Sequence, residues 1–202
     1  MIEPGSATAM LWRDELTQAS RVVDGIRESL GQLERVARVL VDVLRDGGCI
    51  FTCGNGGSAL AAQHFTAELL AHYRRDRPAV RSVALTADAG LVTAIGNDYS
   101  FDQIFSRQIM GLVTPRDAVL GFSTSGRSAN IVRAIHAARE IGAVTVGFSG
   151  GDGGEVAGLV DHALVIPVAE TARVQEGHLI LTHLICEWID ATCTGAPDQA
   201  RP

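Results

Sequence analysis

His64 and Glu68 stand four residues apart in a stretch whose apolar spacing predicts a helix from about Ser58 to Tyr73. Residues at this spacing share one helical face, so the two side chains can bind one metal ion or take part in one proton transfer. The same pair also occurs as a plain surface interaction. Three more candidates lie on or near the last predicted helix: Gln175, His178 and His183. These residue types indicate metal or acid–base chemistry.

The spacing of Gln175 and His183 limits how they can act together. Eight residues on a straight helix rise by about 12 Å. One metal ion, with bonds of about 2 Å, can hardly bind both side chains in that arrangement. Either the helix begins after Gln175 and the chain bends, or the two ligands come from different subunits.

Two segments combine glycine with hydroxyl side chains. The glycine loop reads Gly-Asn-Gly-Gly-Ser over residues 54–58, and the serine loop reads Ser-Thr-Ser-Gly-Arg-Ser over residues 123–128. Amides at a helix start, together with hydroxyls, suit a phosphate group. The alternatives are a tight turn capped by Ser58 and an ordinary helix cap at Ser128. Arg127 can add charge or remain solvated. Because four hydroxyls exceed the need of a cap, we expect both loops to bind one small phosphorylated ligand.

The elements that must position these residues follow a βα pattern. Strand-like runs lie at 49–53, 82–86, 118–123, 144–149 and 163–168, and helical patterns lie at 11–45, 58–73, 101–112, 129–141 and 173–191. The first helical pattern predicts one long helix or a pair. Five buried strands separated by helices predict an α/β fold with a parallel sheet covered on both faces, and ligands bind beyond the carboxyl ends of such strands. Asn97 and Asp98, in a predicted turn after Ile95-Gly96, are further polar candidates, although Asn-Asp is also a routine turn pair.

Composition limits the function classes. The 202 residues suit one domain, and 47% hydrophobic with 20% charged residues is typical of a globular chain. The formal charge of −6 is spread along the sequence, which argues against a nucleic-acid partner. All 17 basic residues counted as Lys+Arg are arginine. The chain therefore lacks the lysine that Schiff-base chemistry and the nucleotide P-loop require.

Cysteine usage and hydropathy bear on location. The four cysteines contain no CxxC pair, and the N-terminus has no basic segment followed by an apolar run. No stretch of 18 apolar residues could span a membrane. We expect a soluble, cytoplasmic protein with reduced thiols and no membrane contact.

Several motifs resemble one enzyme family when taken together. In order, they are Cys53-Gly54-Asn55-Gly56-Gly57-Ser58 with His64 and Glu68, Gly96-Asn97-Asp98, Ser123-Thr124-Ser125-Gly126 with Ser128, and Val174-Gln175-Glu176 with His183. This set resembles the phosphoheptose isomerases, the sedoheptulose 7-phosphate isomerase family of the sugar isomerase (SIS) fold. The resemblance runs from the N-terminal helix to about residue 192. It implies a doubly wound, flavodoxin-like sheet of five parallel strands in a single SIS domain over 1–202. The sequence itself predicts a long helical segment at about 11–46 and an α/β core at about 48–192. It also predicts a disordered tail at 194–202, which carries a glycine and two prolines.

The resemblance also implies a reaction and a set of site residues. The family converts sedoheptulose 7-phosphate to D-glycero-D-manno-heptose 7-phosphate through an enediol, the first step towards nucleotide-activated heptoses. It implies a homotetramer with shared active sites and one zinc ion per subunit. Glu68 and His183 match the base and the acid, and the zinc residues match His64, Glu68, Gln175 and His183. The matching substrate-binding residues are Asn55, Gly56, Gly57, Ser58, Asn97, Asp98, Ser123, Thr124, Ser125, Ser128 and Gln175.

Other functions remain open at this point. Some SIS relatives are non-catalytic modules that bind protein partners in replication initiation, and the presence of Glu68 and His183 argues against that class. An isomerase of a different sugar phosphate is another alternative, and the product can serve a cell-envelope polysaccharide or a natural product. Ala61 stands where many relatives carry an acidic residue, and Ala172 stands where some do, which bears on substrate choice.

Overall fold

A computed structural model describes residues 7–193. The helices in chain order are α1 (Ala7–Glu28), α2 (Leu30–Arg45), α3 (Gly57–Leu70), α4 (Ala89–Asp98), α5 (Ser106–Leu112), α6 (Ala129–Ile141), α7 (Gly154–Leu159) and α8 (Thr171–Cys193), with a 3-10 turn at Phe101–Gln103. The strands are β1 (Ile50–Gly54), β2 (Ser82–Ala84), β3 (Ala118–Phe122), β4 (Val144–Gly150) and β5 (His162–Ile166). The predicted tail at 194–202 lies outside the described residues.

The five strands form one parallel sheet in the order β2-β1-β3-β4-β5. Ile50 of β1 pairs with Ser82 on one side and with Ala118 on the other. The order therefore reverses between β1 and β3, and ligands bind in doubly wound sheets at such a switch point. The predicted α/β class and sheet are confirmed. The glycine loop and the serine loop leave the two strands that flank the switch point.

Two apolar cores cover the sheet. One contains Phe65 and Leu69 of α3 together with the buried faces of α2 and α8, and the other contains Ile131 and Ile135 of α6. The helices that follow the glycine loop and the serine loop therefore lie on opposite faces of the sheet. This arrangement opens a crevice between the two loops.

The N-terminal helical pattern resolves into two helices. α1 ends at Glu28 and α2 begins at Leu30, and the Ser29 hydroxyl between them donates to the carbonyl of Ile26 at 3.0 Å. Val22 and Ile26 are buried on α1. Of the two predicted arrangements, the pair is confirmed.

Two helices were not predicted from the sequence, namely α4 and α7. The Asp88 side chain caps α4 by accepting a hydrogen bond from the Leu91 amide at 2.9 Å. Asn97 and Asp98 were expected in a turn, but they are the last two residues of α4. The prediction was wrong because this helix continues through the glycine at position 96.

No described helix is long and apolar enough to cross a membrane.

Candidate active site

The glycine loop joins β1 to α3 through a sharp turn. Gly56 has φ +54°, a backbone conformation that favours glycine. The Ser58 amide donates to the Asn55 carbonyl at 2.9 Å, and Ser58 itself is buried at the start of α3. Gly57 lies against Gln175, since a Cβ built at Gly57 would lie 2.5 Å from the Gln175 Nε2. The loop thus presents a helix start beside the side-chain amide of Gln175.

Hydroxyls in the serine loop interact with one another and with the backbone. The hydroxyls of Ser123 and Ser128 lie 3.0 Å apart, and Ser125 Oγ accepts a hydrogen bond from the Arg127 amide at 3.2 Å. Gly126 has φ +63° and donates its amide to the Ser123 carbonyl at 2.9 Å. The hydroxyls expected to contact phosphate are therefore gathered at the carboxyl end of β3.

A pair of side-chain amides joins the two loops across the switch point. Asn55 Nδ2 donates to Asn130 Oδ1 and Asn130 Nδ2 donates to Asn55 Oδ1, both at 2.8 Å. Asn130, in the first turn of α6, is only 2% exposed. The sequence reasoning missed Asn130, because an asparagine near a helix start has many uses and its partner lies 75 residues earlier.

Arg127 is bound to a neighbouring loop. Its guanidinium donates to both carboxylate oxygens of Asp152, at 3.0 and 2.7 Å, and to the Ser125 carbonyl at 3.0 Å. The pKa of Asp152 is lowered to about 2, mainly by the hydrogen bond from Arg127 and to a smaller extent by the one from the Gly154 amide. Both side chains are exposed. The arginine of the serine loop thus braces that loop against the one after β4.

Three side chains converge beside α3. One ligand atom each from His64, Glu68 and His183 lies within 4.8 Å of the others. His64 Nε2 is 2.9 Å from His183 Nε2 and 3.3 Å from a Glu68 carboxylate oxygen. The structure therefore brings together three of the four predicted zinc residues, including the predicted base and acid.

The surroundings of His183 favour its neutral form. Burial lowers the pKa of His183 below its usual value and the neighbouring His64 lowers it further, while Glu68 acts in the opposite direction. The Tyr73 ring stacks on the His183 ring, with centroids 5.3 Å apart and planes 23° apart. A neutral imidazole has a lone pair that can accept a proton or bind a metal ion.

Gln175 and His183 both lie on α8, which runs without interruption from Thr171 to Cys193. The alternative in which the helix begins after Gln175 was therefore wrong. Within one chain, Gln175 lies beside Gly57 while His183 lies beside His64. The alternative in which the two ligands come from different subunits remains.

The other candidates lie apart from this group. His178 is 0% exposed, and its Nε2–H donates a hydrogen bond to the Ser149 carbonyl at 3.2 Å. Burial lowers the pKa of His178 to about 4. It packs against the rings of Phe122 and Phe148 as a core histidine. Asn97 and Asp98 are exposed and hydrogen-bond to each other at 2.8 Å. Within residues 7–193, no hydrogen bond joins this pair to either loop.

This sheet order, with a loop after each of the two strands that flank the switch point, defines a doubly wound α/β domain. A family model described as the SIS domain matches residues 16–150. The chain is 42% identical to phosphoheptose isomerase 1 of Campylobacter jejuni over 89% of this chain and 94% of that protein, and 44% identical to the phosphoheptose isomerase of Shewanella loihica over 93% and 98%. The solved structure of phosphoheptose isomerase GmhA from Neisseria gonorrhoeae matches with a TM-score of 0.85 and 35% identity, covering 93% of this chain and 100% of that one. The chain belongs to the phosphoheptose isomerase family.

Proposed function

We propose that the protein is a ketose–aldose isomerase that converts sedoheptulose 7-phosphate to D-glycero-D-manno-heptose 7-phosphate, the first step of nucleotide-activated heptose synthesis. The observation that carries this proposal is the convergence of His64, Glu68 and His183 within 4.8 Å in a chain of this family. An isomerase of this kind needs one group to move a carbon-bound proton and another to move a hydroxyl proton. A non-catalytic binding module needs neither.

The two loops supply the proposed substrate site. The phosphate is held by the hydroxyls and amides that begin α3 and α6, where the positive helix ends also favour an anion. The residues assigned to it are Gly56, Gly57, Ser58, Ser123, Thr124, Ser125 and Ser128. The sugar chain is assigned to Asn55, Asn97, Asp98 and Gln175. The hydrogen bonds between Asn55 and Asn130 support the first of these, because they hold the Asn55 amide in the crevice.

Proton transfer is assigned to Glu68 and His183. Glu68 removes a proton from C1 of the ketose, and the electron pair forms the C1–C2 double bond of an enediol while O2 gains a proton. Glu68 then returns its proton to C2, and O1 loses its hydroxyl proton and becomes the aldehyde oxygen. His183 carries the hydroxyl proton between O1 and O2, since an imidazole can both accept and donate a proton. Burial lowers the pKa of His183 and so favours the neutral, accepting form.

The same residues fit a metal ion. Two imidazoles and one carboxylate are the ligand set of several catalytic zinc sites, which leave one position open. His64, Glu68 and His183 would hold the zinc ion, one per subunit, and Gln175 from another subunit would be the fourth protein ligand. Zinc bound there would stabilise negative charge on the two substrate oxygens during isomerisation. Glu68 would act as the base only while its carboxylate is free of the zinc ion.

We further propose a cytoplasmic homotetramer of single-domain subunits with shared active sites. Support for sharing comes from α8, on which Gln175 lies beside Gly57 while His183 lies at the metal-binding group. Gln175 can then reach a zinc ion only if that ion belongs to another subunit. The net charge of −6 gives no support to a nucleic-acid partner.

A coupled assay that follows aldose formation from sedoheptulose 7-phosphate tests the proposal. The assay is run with added zinc, after chelation, and on Glu68→Gln, with Glu140→Gln as the control for an exposed carboxylate at the end of α6. We expect Glu68→Gln to lower kcat by about 10² to 10⁴-fold with folding intact, because a general base contributes that much. Normal turnover in Glu68→Gln would remove Glu68 as the base.

The same assay separates the substrate from the reaction class. Turnover of another ketose phosphate, without turnover of the heptulose, would keep the isomerase and change its substrate. No turnover of any phosphosugar by the folded protein, with or without zinc, would favour a binding module instead.

A further inference from the structure

The segment that follows α3, residues 73–77, is held against α8 by a buried ion pair. Arg77 Nε donates to Asp190 Oδ1 at 2.5 Å, and the two side chains are 0% and 1% exposed. The other oxygen of Asp190 accepts hydrogen bonds from the amides of Arg74 and Arg75 at 2.8 and 3.1 Å. One carboxylate thus fixes both the backbone and a side chain of this segment.

Arg77 also reaches the helix that carries the proposed base. Its guanidinium donates to the carbonyls of Glu68 and Leu69 at 2.7 Å each. The last carbonyls of a helix have no partner within the helix, so Arg77 satisfies two of them at the end of α3. One of the two belongs to Glu68 itself. The position of the Glu68 backbone is therefore tied to the Arg77–Asp190 ion pair.

The start of the same segment contacts the proposed acid. Tyr73 stacks on His183 with centroids 5.3 Å apart, and the Arg74 guanidinium lies 5.1 Å from the centre of the Tyr73 ring. Arg74 also forms an ion pair with Glu187 of α8 at 2.9 Å. The His183 ring is thus bounded by His64, at 71° to its plane, and by Tyr73, nearly parallel to it.

We propose that Tyr73 and Arg77 are positioning residues that set the geometry between Glu68 and His183. Tyr73 holds the plane of the His183 imidazole, and Arg77, anchored by Asp190, holds the end of α3 that bears Glu68. Neither residue is assigned a contact with substrate. This inference rests on the proposed roles of Glu68 and His183 in proton transfer.

Glu68 and His183 need positioning residues because the site is partly exposed to solvent. His183 and Glu68 are only partly buried, so core packing alone does not fix their side chains. Proton transfer requires a short, aligned approach, and a displacement of about 1 Å can cost as much as 10²-fold in rate. An aromatic stack at about 5 Å restricts ring rotation without adding a polar group that would compete for the proton.

The test compares Tyr73→Leu with Tyr73→Phe. Phe keeps the ring and loses the hydroxyl, while Leu loses the ring and remains apolar. We expect Tyr73→Leu to lower kcat by about ten- to a hundredfold with KM within about twofold, and Tyr73→Phe to match the wild type in both. Thermal unfolding of both variants is measured in parallel, because a purely structural role would lower the Tm without changing kcat in the folded enzyme.

Crystal structures of the two variants provide a second measurement that needs no substrate. The His183 ring should keep its orientation in Tyr73→Phe and rotate or become disordered in Tyr73→Leu. Wild-type kcat and an unmoved ring in Tyr73→Leu would overturn the proposal. Equal loss of kcat in both variants would also overturn it, because the hydroxyl would then be the active group.

These outcomes are separable from the proposed function. If the wild type isomerises the heptulose phosphate and Glu68→Gln does not, a silent Tyr73→Leu refutes only the positioning role. If the wild type turns over no phosphosugar, the proposed function fails, and the orientation of His183 in the variants still decides whether Tyr73 holds its ring.

Discussion

Replacing Asp190 with asparagine should destabilise the protein far more than an ordinary loss of an ion pair. The change keeps the size of the side chain and removes its charge. It leaves the Arg77 guanidinium, which is 0% exposed, without a counter-charge in the core. It also weakens the hydrogen bonds that hold the amides of Arg74 and Arg75. Breaking a buried pair by removing one partner costs about 3–5 kcal/mol, much of it from the charge left behind.

A matched control lies on α1. Asp24 forms an ion pair with Arg27 at 2.6 Å, close to the 2.5 Å of the buried pair. The side chains of Asp24 and Arg27 are 65% and 70% exposed. Asp24→Asn should cost less than about 1 kcal/mol, because an exposed pair gains little over its hydrated groups. The two variants therefore change the same group at nearly the same distance and differ in burial.

The assay is thermal and urea unfolding at one fixed protein concentration, since assembly of subunits makes the Tm depend on concentration. For a chain of this size, 3–5 kcal/mol corresponds to a fall in Tm of about 6–20 °C. If Asp190→Asn lowers the Tm no more than Asp24→Asn does, the assignment of a strong buried pair is wrong. A double variant, Arg77→Met with Asp190→Leu, should recover part of the loss because it removes both charges.

The difference between wild type and Asp190→Asn should depend on pH. Burial would raise the pKa of Asp190, but hydrogen bonds from the Arg74 amide and from Arg77 outweigh it and hold that pKa below its ordinary value. A carboxyl group with a lowered pKa in the folded state stabilises the fold above its unfolded pKa and loses that contribution as the pH falls through its folded pKa. The two proteins should therefore converge in acid and differ fully at neutral pH.

Two predictions concern the loops. Gly57→Ala should raise KM by about tenfold, comparable to one lost hydrogen bond, because its Cβ displaces the flexible end of Gln175; unchanged KM, with the Tm also unchanged, would show that Gln175 does not act from this position. Ser125→Ala should raise KM by about 10- to 100-fold because a hydroxyl that donates to phosphate is lost. Its control, Ser20→Ala on the exposed face of α1, should leave KM unchanged. Steady-state kinetics on all three variants tests both predictions.

The fold could be predicted from the sequence where one feature dominated the local pattern. The five strands lie in short apolar runs, and each was placed within one residue of its observed start. α4 was missed because its sequence, Ala-Gly-Leu-Val-Thr-Ala-Ile-Gly-Asn-Asp, carries two glycines and little helical periodicity. Its helical state depends on the Asp88 cap and on packing against the turn at Phe101–Gln103, which local propensity does not report.

The site could be predicted where its residues lie close together in sequence. His64 and Glu68 share a helical face, so their proximity follows from spacing alone. The positions of their more distant partners do not follow from spacing. His183 lies 119 residues after His64, on another helix, and Asn130 hydrogen-bonds to Asn55 across the switch point. Such pairings are set by sheet order, and a single sequence gives no measure of which strands become neighbours. The motifs indicated His183 only as a member of a set, and they did not indicate Asn130.

The relative direction of α3 and α8 explains why Gln175 lies at the glycine loop while His183 lies at the metal-binding group. Gly57 at the start of α3 meets Gln175 near the start of α8, and His64, seven residues later, meets His183, eight residues later, so the helices run parallel. Along this pair, the glycine loop and the metal-binding group are separated by about 10 Å. Because α8 is uninterrupted, Gln175 cannot approach a metal ion held by His183 of the same chain. A ligand role for Gln175 at that metal therefore requires two copies of the chain to build each site, whereas a substrate role at the glycine loop needs only one.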